Sequence, residues 1–65
     1  MFYDWQQEDY EKACRAVFRR CERRGWIYSQ PNRYDSEMTK EGIIILRTGD
    51  RELGRYNTNN GRLIP

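Results

Sequence analysis

The apolar residues in the first part of the chain recur with the period of an α-helix, and this pattern stops at Gly25. With about 100° of rotation per residue, six side chains fall on one stripe: Tyr10, Ala13, Cys14, Val17, Phe18 and Cys21. We predict an amphipathic helix from about Trp5 to Arg24, with Asp4 as its N-cap and Gly25 ending it in the left-handed conformation.

Short runs that are typical of β-strands follow this helix. The predicted strands are 26–30 (WIYSQ), 43–48 (IIILRT), 51–57 (RELGRYN) and 62–65 (RLIP). The polar segment 31–42 is predicted to be a long loop. The predicted fold is α+β, with one N-terminal helix packed on a small antiparallel β-meander of three to four strands, in the order α-β-β-β-β.

The connections carry their own signals. Gly49-Asp50 predicts a turn, Asn60-Gly61 predicts a type I′ hairpin, and Gly54 indicates a β-bulge. With 65 residues, the chain forms one domain over 1–65, and its core must be thin. Nine aromatic residues and a net charge of only +2 favour a folded chain over a disordered one.

The apolar run Ile43–Leu46 raises the question of what covers the second face of the sheet. Successive strand residues point to opposite faces, and a single helix covers only one of them. The sequence leaves three alternatives: the N-terminal aromatics Phe2, Tyr3 and Trp5, a sheet curled into a half-barrel, or a partner chain. We expect covering within the chain ahead of a protein partner or a homodimer.

The residue types argue against catalysis. The chain has no His, so Cys14 and Cys21 have no imidazole to activate them, and both lie on the apolar stripe. Two cysteines alone do not form a metal site, and no phosphate-binding glycine motif is present. We therefore expect a protein that is not an enzyme, with no metal and no cofactor.

Location follows from similar arguments. No apolar stretch approaches the ~20 residues that span a bilayer, so we expect no membrane insertion. The start of the chain lacks the features of a signal peptide. Together with only two cysteines, this predicts a small soluble protein in the reducing cytoplasm.

Ten of the twelve cationic residues are arginines, and three of these form a ladder on the predicted helix. Arg15, Arg19 and Arg23 are spaced by four residues, and Arg47 and Arg55 would extend this surface if they share its side. These five residues are the predicted site for an anion or a partner. The alternative is a solvated face whose bases merely complement the helix dipole.

Two functional hypotheses follow. The first is a non-catalytic binding or regulatory protein, a protein-interaction module that uses the spare sheet face, an exposed edge strand, or the arginine helix against an acidic protein. The second is a nucleic-acid-binding module that uses the arginine-rich helix face. The modest net charge favours the first hypothesis slightly, while the arginine excess supports the second.

Overall fold

The computed structural model describes residues 7–65 as one helix packed on one face of a four-stranded antiparallel sheet. The elements are α1 (Gln7–Arg24), a 3-10 turn (Arg33–Asp35), β1 (Glu37–Met38), β2 (Ile43–Thr48), β3 (Arg51–Asn57) and β4 (Arg62–Ile64). The strands lie in the order β1-β2-β3-β4, and the sheet stays open and does not close into a barrel. The predicted α+β meander is confirmed.

The helix α1 ends at Arg24, and the predicted glycine, Gly25, follows it. Gly25 has φ 68, and its N–H donates to the carbonyl oxygen of Glu22 at 3.3 Å. The N–H of Trp26 donates to the carbonyl oxygen of Cys21 at 2.9 Å, which completes a Schellman motif. The predicted N-cap Asp4 and the predicted first residue Trp5 lie outside the described residues.

The core forms where the apolar stripe of α1 meets the sheet. Ala13 and Val17 are buried, at 0% and 2% exposure, against Ile44 and Leu46 of β2 and Tyr56 of β3. Three further stripe residues are half-buried beside this cluster: Tyr10, Cys14 and Cys21. Phe18 is 42% exposed, so it belongs to the rim of the stripe, where its ring meets that of Tyr28 edge-on with centroids 5.0 Å apart.

The predicted strand over 26–30 is wrong, because this segment has no regular secondary structure. Its aromatic and β-branched composition favours a pleated surface, but a strand also needs an edge with which to pair. On β2 that edge is taken by β1, which lies inside the predicted loop 31–42, and by Asn32, whose N–H donates to the carbonyl oxygen of Arg47 at 2.8 Å.

The predicted bulge near Gly54 is confirmed. Leu46 pairs with Gly54 and Arg47 pairs with Glu52, so Leu53 is the additional residue on β3. The helix approaches the sheet closely at this point. A Cβ atom on Gly54 would lie 2.8 Å from Nη2 of Arg20 and 3.0 Å from Cγ2 of Val17.

The hairpin between β3 and β4 is present, but its turn is not the predicted type I′. Asn57 pairs with Arg62, so four residues connect the strands, and the N–H of Gly61 donates to the carbonyl oxygen of Asn57 at 2.8 Å. A type I′ turn needs two residues with positive φ. Over residues 7–65 only glycines have positive φ, so Asn60 does not supply the first of them, while Gly61 adopts φ 68.

The second face of the sheet carries both apolar and charged residues. Ile45, on β2, points away from α1 and is only 7% exposed. Its register partners are Glu37 on β1 and Arg55 on β3. Phe2, Tyr3 and Trp5, which were predicted to cover this face of the sheet, lie outside the described residues.

Candidate anion-binding groove

A basic groove runs along the flank of α1 that faces β4 and the β3–β4 turn. It consists of two adjoining open cavities of about 410 and 270 Å³, which share Ala16, Arg19 and Gly61. Seven cationic residues line it: Lys12, Arg15, Arg19, Arg20, Arg23, Arg24 and Arg62. We refer to this feature, defined by these residues, as the basic groove.

Helix periodicity explains most of this arrangement. Lys12, Ala16, Arg19 and Arg23 recur at intervals of three or four residues, so they occupy one flank of α1. Ala16, with its short side chain, lies between longer cationic ones and is packed against the core. Arg62 adds a cation from the edge strand β4 on the opposite wall.

The groove is strongly positive because its cations are not neutralised within it. Among the described residues, no Asp or Glu lines either cavity. Lys12 forms an ion pair with Glu8 at 3.1 Å, whereas the six groove arginines take part in no ion pair within residues 7–65. Glu11, which lies one helical turn before Arg15, forms no ion pair with it and instead accepts a hydrogen bond from Gln7 at 3.4 Å.

Arg20 is the groove arginine that the fold constrains most. Its Nη2 donates to the carbonyl oxygen of Leu53 at 3.3 Å, so the guanidinium is attached to the bulge on β3. Its Nε is buried and has no hydrogen-bond partner among the described residues. The guanidinium therefore brings charge to the groove from a position that the sheet helps to fix.

The structure separates the five predicted site residues into two groups. Arg15, Arg19 and Arg23 lie in the basic groove. Arg47 and Arg55 point to the opposite face of the sheet, because their strand neighbours Leu46 and Tyr56 face the helix. The condition that all five share one side is therefore not met.

Arg47 and Arg55 are also paired with acids. Nη1 of Arg47 lies 3.6 Å from Oε2 of Glu37. Both Nε and Nη2 of Arg55 donate to the Glu52 carboxylate at 3.0 Å. The hydrogen bonds from Arg55 lower the pKa of Glu52 below its ordinary value, so this carboxylate stays ionised. These two arginines are thus less available to an external anion than those of the groove.

Four residues of the groove were not in the predicted site: Lys12, Arg20, Arg24 and Arg62. The spacing of Lys12 and Arg20 around the small residue Ala16 is the sequence signal that could have identified them. Arg24 follows as the last residue of the same helix. No local signal points to Arg62, because only the tertiary fold brings β4 beside α1.

Cys14 and Tyr10 lie on the other flank of α1, away from the basic groove. Burial raises the pKa of the Cys14 thiol above its ordinary value, so the thiol stays protonated at neutral pH. Burial also raises the pKa of Tyr10 to about 12, and its hydroxyl donates to the carbonyl oxygen of Pro31 at 3.1 Å. Over residues 7–65, no three His, Cys, Asp or Glu side chains are grouped to hold a metal ion.

Comparisons with known proteins return no match, whether against family models, curated proteins or solved structures. Within residues 7–65, no helix combines the length and the apolar character needed to cross a bilayer.

Proposed function

We propose that this protein is a non-catalytic nucleic-acid-binding module, and that the basic groove holds the phosphate backbone. The observation that carries this proposal is the row of seven cationic residues without an acidic one among the described lining residues. Arginine suits such a role, since its planar guanidinium donates two parallel hydrogen bonds to phosphate oxygens. Phosphate contacts supply most of the affinity in sequence-independent nucleic-acid binding.

The shape of the groove supports a polymer over a single small anion. From Lys12 to Arg24 the helix extends about 18 Å, at about 1.5 Å per residue. Arg15, Arg19 and Arg23 lie about 6 Å apart along this axis, at four residues per step. Both cavities are open to solvent, so they suit a long chain with regularly spaced charges.

An acidic protein is the competing partner, and the same charges would attract it. The protein-interaction hypothesis names three alternative surfaces: an exposed edge strand, the arginine helix and the spare apolar sheet face. That face contains the Arg47–Glu37 and Arg55–Glu52 ion pairs beside Ile45, so it is less apolar than the sequence implied. Interaction or homodimerisation through this face stays a prediction, which sedimentation over a range of protein concentrations tests. We further propose that the protein acts in the cytoplasm and needs no cofactor.

The test compares two variants that each remove two positive charges. Binding of a fluorescently labelled oligonucleotide is measured by anisotropy over a range of salt concentrations. Each lost phosphate contact reduces the slope of log affinity against log salt by about 0.7–0.9. We expect R19Q/R23Q to reduce the slope by about 1–2, and R47Q/R55Q, on the other face, to change it little.

Three results would contradict the proposal. One is no oligonucleotide binding at low salt. Another is an equal loss in both double variants, which would indicate a general effect of net charge rather than a site. The third is binding of polyglutamate without binding of oligonucleotides, which would indicate an acidic protein partner.

A further inference from the structure

We infer that the ligand of the basic groove is single-stranded, and that Trp26 stacks against one of its bases at the C-terminal end of α1. This inference rests on the proposed function, since it assigns the kind of nucleic acid that the same groove accepts. Single-strand-binding proteins combine a cationic groove for the backbone with aromatic side chains for the bases.

Trp26 occupies a fixed position just beyond the groove. Its N–H donates to the carbonyl oxygen of Cys21 at 2.9 Å, and Gly25 turns the chain before it with φ 68. The helix terminus therefore fixes the backbone from which the indole extends. A backbone that is already ordered reduces the conformational entropy lost when the side chain stacks on a ligand.

The indole is exposed and is not part of the core. Its residue is 55% exposed, and it is not among the side chains that pack against the core cluster of residues 7–65. Tyr28, two residues later, is half-buried against that cluster, so this segment does have access to it. A large aromatic side chain that remains exposed beside a basic groove has the chemistry of a stacking platform.

Arg24 connects the indole with the groove. The residue lines the larger cavity, and its guanidinium carbon lies 5.0 Å from the centroid of the Trp26 ring. The π-system attracts the cation, which lies over one face of the ring, so a base would stack on the other face. A nucleotide at this point can place its phosphate near Arg24 and its base on the indole.

This arrangement discriminates between single and double strands. Stacking is available to an unpaired base, whereas the bases of a duplex already stack on each other. Each base stacked on an aromatic side chain contributes ~1–3 kcal/mol, which corresponds to a change of about 5- to 150-fold in affinity. The phosphate contacts of the groove are common to both forms.

The test uses the fact that the chain has two tryptophans, Trp5 and Trp26. In full-length W5F the indole emission comes from Trp26 alone, and W26F, which reports Trp5, is the matched control. Three probes are titrated: a single-stranded oligonucleotide, the same sequence as a duplex, and an abasic strand with equal numbers of phosphates. We expect the single strand to quench the emission of W5F strongly, and the other two probes to quench it weakly.

Affinities of a second variant then separate stacking from charge. We expect W26A to bind the single strand about 5- to 150-fold more weakly and to keep its affinity for the duplex and the abasic strand. R19Q/R23Q should weaken binding of all three probes. If W26A fails to fold, as judged by circular dichroism, the quenching of W5F decides by itself.

The two proposals fail in different ways. Equal binding of the three probes, with no quenching of W5F, would overturn the stacking role of Trp26 while the groove proposal stands. Absence of salt-dependent binding for every probe would overturn the proposed function and this inference with it.

Discussion

Val17 and Gly54 lie in such close contact that a Cβ atom on Gly54 would be 3.0 Å from Cγ2 of Val17. Gly54 directly follows the bulge residue Leu53, whose carbonyl oxygen accepts the hydrogen bond from Arg20. The missing side chain therefore sets the distance between helix and sheet beside Arg20, which lines the basic groove. The fold and the candidate site depend on the same contact.

We expect Gly54→Ala to lower the free energy of unfolding by about 1–3 kcal/mol, because Val17 is 2% exposed and has little room to move. Denaturant unfolding followed by circular dichroism measures this. The matched test is the same substitution in a Val17→Ala background, where the contact with Val17 is removed and only that with the longer, more flexible Arg20 side chain remains, so the loss should be smaller. An equal loss in both backgrounds would show that the contact is not the cause.

Gly25→Ala tests the helix terminus. A Cβ atom there would meet nothing within 4 Å, so the cost comes only from the backbone at φ 68. We expect a loss of about 1 kcal/mol in the free energy of unfolding. Gly25→Asn should cost less, since Asn tolerates the left-handed conformation. Equal costs for both variants in thermal unfolding would contradict this explanation.

Leu46→Ala and Ile27→Ala compare a buried with an exposed aliphatic side chain. Leu46 is 0% exposed and Ile27 is 93% exposed. We expect Leu46→Ala to destabilise the fold by about 2–5 kcal/mol, enough to unfold a marginal small domain. Ile27→Ala should stay within about 0.5 kcal/mol of the parent. A large loss from Ile27→Ala would place that residue in a buried contact that the fold does not show.

Stability should decline at alkaline pH because the pKa of Tyr10 is raised from 10.0 to about 12, mainly by burial. Between these values the unfolded state has lost the phenolic proton and the folded state retains it. The folded state therefore binds more protons, and its stability decreases as the pH rises from 10 to about 12. The stabilising contribution of Tyr10 is fully present only below pH 10. Urea unfolding at several pH values should show a shallower decline for Tyr10→Phe.

Tyr34→Phe is the control for this pH dependence, because Tyr34 is 95% exposed. Its decline should match that of the parent. If Tyr10→Phe declines as steeply as the parent, Tyr10 is not the group responsible.

The sequence predicted elements whose signal is local. The end of α1 at Gly25, the strands β2 and β3 and the bulge beside Gly54 follow from periodicity and turn residues that adjoin them in the chain. The strand predicted over 26–30 failed because strand formation depends on an unoccupied edge, and no local pattern shows that β1 and Asn32 occupy it.

The same difference between local and tertiary signals determines which residues of the candidate site were predicted. The ladder of Arg15, Arg19 and Arg23 was visible in the sequence because helical spacing is local. That Arg62 joins this ladder, and that Arg47 and Arg55 do not, depends on strand register and on which sheet face the helix covers. A strand residue shifted by one position points to the opposite face, so composition alone could not separate the two groups.

The unequal pairing of the arginines gives the molecule a directional charge that its net charge of +2 conceals. On one side Arg47 and Arg55 are balanced by Glu37 and Glu52, while the six groove arginines have no such balance within residues 7–65. Positive charge is therefore concentrated on the helix flank that lines the basic groove. In the field of a polyanion the molecule should rotate during approach so that the helix flank arrives first, which raises the fraction of productive encounters at low ionic strength.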